Sequence, residues 1–436
     1  MKPINVGLLG IGTVGGGTWE VLNRNAGEIE RRAGRAIRIT RVADKALERA
    51  KEIVKGGASV TDSAHDVTRA PDIDIVIELI GGYTIAKDLV LDAIAHGKHV
   101  VTANKALLAV HGNEIFAAAQ KQGVMVAFEA AVAGGIPIIK ALREGLSANR
   151  IEWIAGIING TSNFILSEMR EKGHTFGAVL KEAQKKGYAE ADPTFDIEGV
   201  DAAHKLTILS ALAFGIPMQF PKAYTEGIAK LTREDIGYAE ELGYRIKLLG
   251  ITKRTPKGIE LRVHPTLVPT RRLIANVEGV MNAILIKGDA VGPTLYYGAG
   301  AGSLPTASAV VADLVDITRL ITADPEHRVP HLAFQPDRLS DDPVLPIADV
   351  ETACYLRMRV LDRPGVLADI ARILADRSIS IDAMVQKEPE EGEDRVDIVM
   401  LTHIALERNV DAAIVAIEAL PTVVGKVTRI RLEELL

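Results

Sequence analysis

The chain has 436 residues, 47% of them hydrophobic and 25% charged, with a formal net charge of −6. At roughly 150 residues per domain that length calls for about three domains, and the balance is that of a globular protein rather than a disordered one. Basic and acidic residues are interspersed, so no basic stripe points to nucleic acid, and no apolar run reaches the roughly 20 residues of a bilayer helix. The single cysteine, Cys354, excludes a disulfide framework and any multi-cysteine zinc or iron–sulfur site. A cytoplasmic, reducing setting fits, because glycines break the opening MKPINVGLLGIGTVG where a signal peptide would stay apolar.

From Ile4 to Leu9 a β-rich run stops at Gly10, and Thr13 to about Arg32 reads as a helix. A second strand, Ile37 to Ala43, ends at Asp44. Apolar runs follow at Ile75 to Ile80, His99 to Thr102 and Val124 to Phe128, separated by helix-length stretches such as Thr84 to His96. Apolar strands alternating with helices indicate a parallel sheet covered on both faces, so the fold class is α/β with a Rossmann doubly wound sheet over 1–130. The order then loosens, with an apolar run at Ile151 to Ile158, helices near Phe176 to Lys186 and Asp201 to Phe214, and strands near Ile259 to Leu267 and Ala283 to Lys287. That is an α+β substrate-binding and dimerisation domain over 131–302. A helix over Thr306 to Thr322 follows the cluster Gly298-Ala-Gly-Ala-Gly302 and returns the chain to the nucleotide domain at about 303–335. Residues 336–350, rich in proline and aspartate, read as a linker. Beyond them, strand (Ala353 to Leu361), helix (Gly365 to Asp376), strands (Ile379 to Gln386, Val396 to Thr402), helix (Glu407 to Leu420) and strand (Lys426 to Leu432) spell βαββαβ, a ferredoxin-like module over 351–436.

Three stretches carry chemistry. Gly10-Ile11-Gly12-Thr13-Val14-Gly15 lies where a strand meets a helix, the context in which GxGxxG turns tightly, admits a pyrophosphate and packs helix on strand; elsewhere it is a glycine turn and no more. Asp44 ends the second strand, placed for an adenine ribose, and Lys45 beside it would instead suit a 2′-phosphate, so NAD and NADP both stay open. Lys105 follows the strand ending at Thr102, at the carboxyl edge where ligands of open α/β sheets bind, although a lone lysine there is equally an exposed helix start. Finally, Asp201 and Lys205 are four apart on a helix that continues KLTILSALAF. Burial of that helix would desolvate the lysine while the carboxylate holds its proton; without burial the two make an ordinary surface ion pair.

Taken together, Gly10 to Gly15, Thr102-Ala-Asn-Lys105, Glu129-Ala-Ala-Val-Ala-Gly-Gly-Ile-Pro137, Gly156-Ile-Ile-Asn-Gly-Thr-Ser-Asn163, Gly187 to Lys205 and Gly298 to Gly302 resemble homoserine dehydrogenase over roughly residues 1 to 335. The resemblance implies reduction of L-aspartate 4-semialdehyde to L-homoserine, and the reverse, with NADPH or NADH, on the route to threonine, methionine and isoleucine. It implies Lys205 as proton donor, Lys105 as second active-site lysine, and Glu190 and Asp201 as substrate binders. Coenzyme contacts would fall on Gly10 to Gly15, Asp44, Thr102, Lys105, Gly187 and Gly302. A monovalent cation, usually sodium in that family, would sit in the loop of Glu129, Val132, Gly134 and Ile136, and backbone carbonyls suit such a hard ion. The C-terminal module resembles an ACT domain through Asp362-Arg-Pro364-Gly365-Val366-Leu367-Ala368, whose helix start leaves backbone N–H groups free for an amino-acid carboxylate. Threonine is the effector this implies, in a homodimer or homotetramer with neither nucleic acid nor membrane as partner. A non-catalytic sensor of nucleotide and amino acid is the alternative. Since every expected catalytic residue precedes Pro336, the module is expected to be separable.

Overall fold

Six short strands make a wholly parallel sheet: β1 (Ile4–Leu9), β2 (Ile37–Ala43), β3 (Ser59–Thr61), β4 (Ile75–Glu78), β5 (His99–Thr102) and β6 (Val126–Ala127), ordered β3-β2-β1-β4-β5-β6. The central strands β4 and β5 are buried along their length, as in a sheet covered on both faces, whereas β2 and β3 toward the edge carry Arg38, Arg41 and Ser59. Val6, Leu8, Ile75 and Ile77 share one core with Val310 and Leu314 of the helix Ser303–Leu320. Strand order reverses between β1 and β4, and the ligand crevice of such a sheet opens at their carboxyl ends.

This computed structural model describes residues 2–388 and 392–435, which divide into two compact units. The first takes residues 1–160, 201–221 and 280–342. The second takes 161–200, 222–279 and 343–436. Besides the parallel sheet, the first unit holds three antiparallel strands, Ile151–Ile157, Met281–Gly288 and Gly292–Ala299. The helix expected from Thr13 to Arg32 is two helices, α1 (Thr13–Arg24) and Ala26–Ala33, interrupted at Asn25 with φ −107° and ψ 17°. The break resets the helical register so that Ile29 and Ala33 turn inward. Among the described residues, no helix is long and apolar enough to cross a membrane.

In the second unit the strands Tyr244–Thr255 and Gly258–Pro269 form a long antiparallel hairpin. The C-terminal βαββαβ module is ordered Val423–Leu432, Glu351–Leu361, Arg395–Thr402, Ile381–Gln386, and its helices Val366–Ala375 and Glu407–Glu418 close a separate core. The module does not hang free. Its strand Val423–Leu432 pairs in parallel with Gly258–Pro269 at Thr266 and Leu267. The proline-rich connection is held as well, since Ile259 N–H donates to Pro343 O and Leu345 N–H to Ile259 O, each at 2.8 Å.

Ion pairs, each with at least one fully buried member, complete this seam. Arg431 reaches Glu407 at 2.8 Å and Glu226 at 2.7 Å, and Arg262 reaches Glu433 at 2.6 Å. Arg357 meets Asp235, which is fully buried and also caps the helix Arg233–Glu241 through Thr232, at 2.6 Å. Removing one partner of such a pair strands the other charge in low dielectric, at a cost of about 3–5 kcal/mol. Arg357→Ala is therefore expected to lower the unfolding free energy of the second unit by about that amount in denaturant titration. A loss below about 1 kcal/mol, the level of a surface pair, would contradict the seam.

Candidate active site

Lys105 opens the helix Lys105–Gln122 directly after β5, and Asn104 caps that helix by accepting from Leu107 N–H at 3.0 Å. An ammonium at a helix N-terminus faces the positive end of the dipole and calls for a counter-charge. Asp201 supplies it: one carboxylate oxygen lies 3.1 Å from Lys105 Nζ, and the other accepts from Lys205 Nζ at 2.6 Å. Lys205 also donates to the carbonyl of Ile158 at 2.7 Å, and Asn159 Nδ2 donates to Asp201 Oδ2 at 2.9 Å. The helix Val200–Phe214 that carries Asp201 and Lys205 is buried on almost every side, so this is no surface i,i+4 pair. Side-chain exposure rises from 5% at Asp201 through 12% at Lys205 to 37% at Lys105, which leaves both ammonium groups reachable around a sealed carboxylate.

Burial works to raise the Asp201 carboxyl, but the ammonium groups of Lys205 and Lys105 outweigh it and hold it well below the usual carboxylate range. His204, next on the same helix and 4.2 Å from Phe220 between ring centroids, is pushed down to about 4 by burial, with both lysines adding to the effect and Asp201 opposing it. It is a neutral neighbour of the lysines at physiological pH.

The glycine-rich loop has the shape a coenzyme needs. Gly10 sits at φ +89°, and a Cβ there would lie 2.9 Å from the carbonyl of Leu79; a Cβ on Gly15 would lie 2.2 Å from the carbonyl of Gly10. At Gly12 a Cβ would meet nothing, so open space lies over the start of α1 beside Ile11, Thr13 and Val14. Asp44 is tied to this loop, accepting from Ile11 N–H and Ala46 N–H at 2.8 Å each. Lys45 donates to Asp62 O at 3.0 Å. Gly302, at φ +124°, begins the helix Ser303–Leu320, and Ser303 Oγ donates to Thr13 O at 2.8 Å, which joins that helix to the start of α1.

In the loop expected to hold a cation, Ala133 and Gly134 both have positive φ, +56° and +47°, and fold the chain back on itself. Among the described residues, the carbonyls of Val132 and Gly134 accept no backbone N–H, whereas that of Ile136 accepts from Ile138. The Glu129 carboxylate accepts from Ile139 and Lys140 N–H, and Asp313 accepts from Glu129 N–H. Burial pushes both carboxyls up. Neutral carbonyl oxygens backed by two buried carboxyls fit a monovalent cation. No group of three or more His, Cys, Asp or Glu side chains is placed to hold a metal ion among the described residues.

Gly187 and Glu190 belong to the second unit, on an exposed loop after the helix Phe176–Lys185, where Gln184 Nε2 donates to Glu190 O at 3.0 Å. The second unit also carries the turn Asp362 to Leu367, with Asp362 N–H donating to Asp394 O at 2.9 Å and Gly365 at φ +96° before the helix Val366–Ala375. Asp362, Pro364, Gly365 and Leu367 are exposed and Val366 is buried. The sequence reading missed Asn159, two residues after the strand Ile151–Ile157, and Glu78, which ends the apolar run IVIE.

A dinucleotide crevice whose rim carries two lysines on one carboxylate is the arrangement of a pyridine-nucleotide oxidoreductase. Residues 10–129 match the model of the homoserine dehydrogenase NAD-binding domain, 137–315 that of homoserine dehydrogenase, and 355–422 that of the ACT domain. A curated homoserine dehydrogenase of Pseudomonas aeruginosa is 65% identical over the whole of both chains, and one of Bacillus subtilis 41% identical over 92% of each. The crystal structure of a homoserine dehydrogenase from Thiobacillus denitrificans is 73% identical, with a TM-score of 0.96 over 100% of this chain and 99% of that one. A hyperthermophilic archaeal homoserine dehydrogenase, solved in complex with NADPH, is 25% identical with a TM-score of 0.63 over 74% of this chain and 99% of its own. The chain belongs to the homoserine dehydrogenase family, and it is an oxidoreductase with an NAD(P)-binding domain and an ACT domain.

Three histidines of the first unit, the buried His99 and His204 and the half-buried His331, are each held down to about 4, chiefly by removal from water. Unfolded, they would titrate near 6.5. Between about pH 6.5 and 4 these three sites therefore bind more protons in the unfolded chain than in the folded one, and their contribution to stability rises with pH, while the raised Glu129 and Asp313 carboxyls act in the opposite sense. Thermal melts should show the midpoint of His331→Gln falling less than that of the unaltered chain as pH drops through that window; parallel curves would contradict it.

Proposed function

We propose that this enzyme interconverts L-aspartate 4-semialdehyde and L-homoserine, in the biosynthesis of threonine, methionine and isoleucine in the cytoplasm. The observation that carries the reading is the Asp201 carboxylate shared by Lys205 and Lys105 at the carboxyl edge of a coenzyme-binding sheet. When bound, NADPH or NADH supplies hydride to the aldehyde carbon. Lys205 gives a proton to the oxygen as alkoxide character develops, and Lys105 adds positive charge beside it. Asp201 and the Ile158 carbonyl hold the Lys205 ammonium in place, so the proton is presented from a fixed position. Glu190 and Asp201 are assigned to the substrate ammonium by likeness to the family, and the Asp201 oxygens are already engaged by Lys105, Lys205 and Asn159.

The remaining assignments belong to the same reading. Gly10 to Gly15, Asp44, Thr102, Lys105, Gly187 and Gly302 would contact coenzyme, and the carbonyls of Glu129, Val132, Gly134 and Ile136 would hold a monovalent cation, probed as sodium. Threonine would bind at the turn Asp362 to Leu367 of the ACT domain and inhibit by favouring a less active state, in a dimer or tetramer.

Lys205→Ala should lower turnover by the roughly 10² to 10⁴ of a lost general acid while coenzyme binding, read by fluorescence titration, changes little. Near-normal turnover would remove Lys205 from that role. Full-length enzyme should be inhibited by millimolar threonine, and Gly365→Val, which strains a φ of +96°, should relieve the inhibition. Equal inhibition of both proteins would place threonine in the active site as a homoserine mimic.

A further inference from the structure

Glu78, the last residue of β4, is fully buried, yet among the described residues no lysine, arginine or histidine pairs with it. Its Oε1 accepts from Ile80 N–H at 2.9 Å and from Gly81 N–H at 3.2 Å, and its Oε2 accepts from Thr102 Oγ1 at 2.7 Å. Thr102 Oγ1 is itself the acceptor for Asn104 N–H at 3.0 Å, so its own proton points to Glu78. Three donors converge on the group and it donates to none, the pattern of an ionised carboxylate. Burying an anion against dipoles alone is expensive, so its place in the fold matters.

That place is specific. Asp44, at the end of β2, marks the adenine side of the crevice, and the glycine loop after β1 marks the pyrophosphate. β4 and β5 lie on the other side of β1, under the nicotinamide end. The cluster of Lys105, Lys205 and Asp201 at this edge carries one more positive charge than negative, which repels a cationic ring. Glu78, paired across the sheet with Thr102 three residues before Lys105, carries the opposite sign at the same edge.

We infer that Glu78 is a fixed negative charge beneath the nicotinamide end of the crevice, and that it sets the preference for the oxidised coenzyme, whose ring is cationic, over the neutral reduced form. The inference rests on the coenzyme placement proposed above. Through the loop Ile80 to Gly82 and the Asn104 cap it is also a positioning residue for Lys105, since Asn104 Nδ2 donates to Gly82 O at 2.6 Å.

The test is the ratio of dissociation constants for oxidised and reduced coenzyme, measured on the full chain without substrate by calorimetry and by fluorescence of the reduced form. Glu78→Gln, which keeps the shape and removes the charge, should weaken the oxidised form about tenfold relative to the reduced, the size expected of a unit charge acting over several ångströms of protein. Glu78→Asp should hold the ratio within about twofold of wild type, because it keeps the charge. Equal weakening of both forms by Glu78→Gln would mean a structural role only and would overturn the inference. If Glu78→Gln does not fold, Glu78→Met, which keeps the length and has no charge, is read in its place; it too must weaken the oxidised form relative to the reduced, and equal weakening of both overturns the proposal. Failure of the wild-type chain to bind either form would instead remove the coenzyme placement on which the inference stands.

Discussion

One buried carboxylate holding two ammonium groups is the interaction on which the candidate site in the first unit depends. Moving an ion from water into protein costs several kcal/mol, and a pair recovers that only when geometry is good and the remaining hydrogen-bonding positions are filled. Asp201 meets both conditions, with a lysine on each oxygen and the Asn159 amide as a third partner. It lies in the first turn of its helix, where negative charge is favoured, while Lys105 lies at the start of another, where positive charge is not. The ion pair thus offsets one helix dipole and exploits the other. Remove the carboxylate and Lys105 loses the counter-charge that its place at a helix start calls for.

How far this was legible in the chain depended on how local the interaction is. The glycine loop and the Asp201–Lys205 pair are set by a few consecutive residues, and both stand where spacing put them. The Lys105–Asp201 contact joins a βα turn to a distant helix, and no periodicity reports such a meeting. Nor does composition report partners. The proline- and aspartate-rich segment before the last module reads as a loose connection, yet the carbonyl of Pro343 and the N–H of Leu345 bracket Ile259. The strand Tyr244–Thr255 escaped notice because Lys247 and Gly250 interrupt its apolar run. Lys247 is buried all the same, donating to Val277 O at 2.6 Å and approaching Glu278 at 3.3 Å.

The seam in the second unit changes how its ACT module is understood. A bead on a flexible tether can report only by docking and undocking. Here a βαββαβ module shares a strand pairing and three arginine pairs with the neighbouring segment, so it is packed against the hairpin Tyr244 to Pro269 rather than tethered to it. An effector at the Asp362 to Leu367 turn would act on a body that already includes that hairpin. Its energy would be spent on differential stability of two packings, the only way binding shifts an equilibrium.

The central claim is that Asp201 acts by holding the two lysines, and steady-state kinetics of Asp201→Asn with homoserine as varied substrate tests it most directly. If the carboxylate is what presents the Lys205 proton and restrains Lys105, kcat should fall by roughly 10² or more while the homoserine KM moves by less than about threefold. A variant with near-normal kcat and a strongly raised KM would show instead that Asp201 serves as a substrate-binding group, and the account of the site would be wrong.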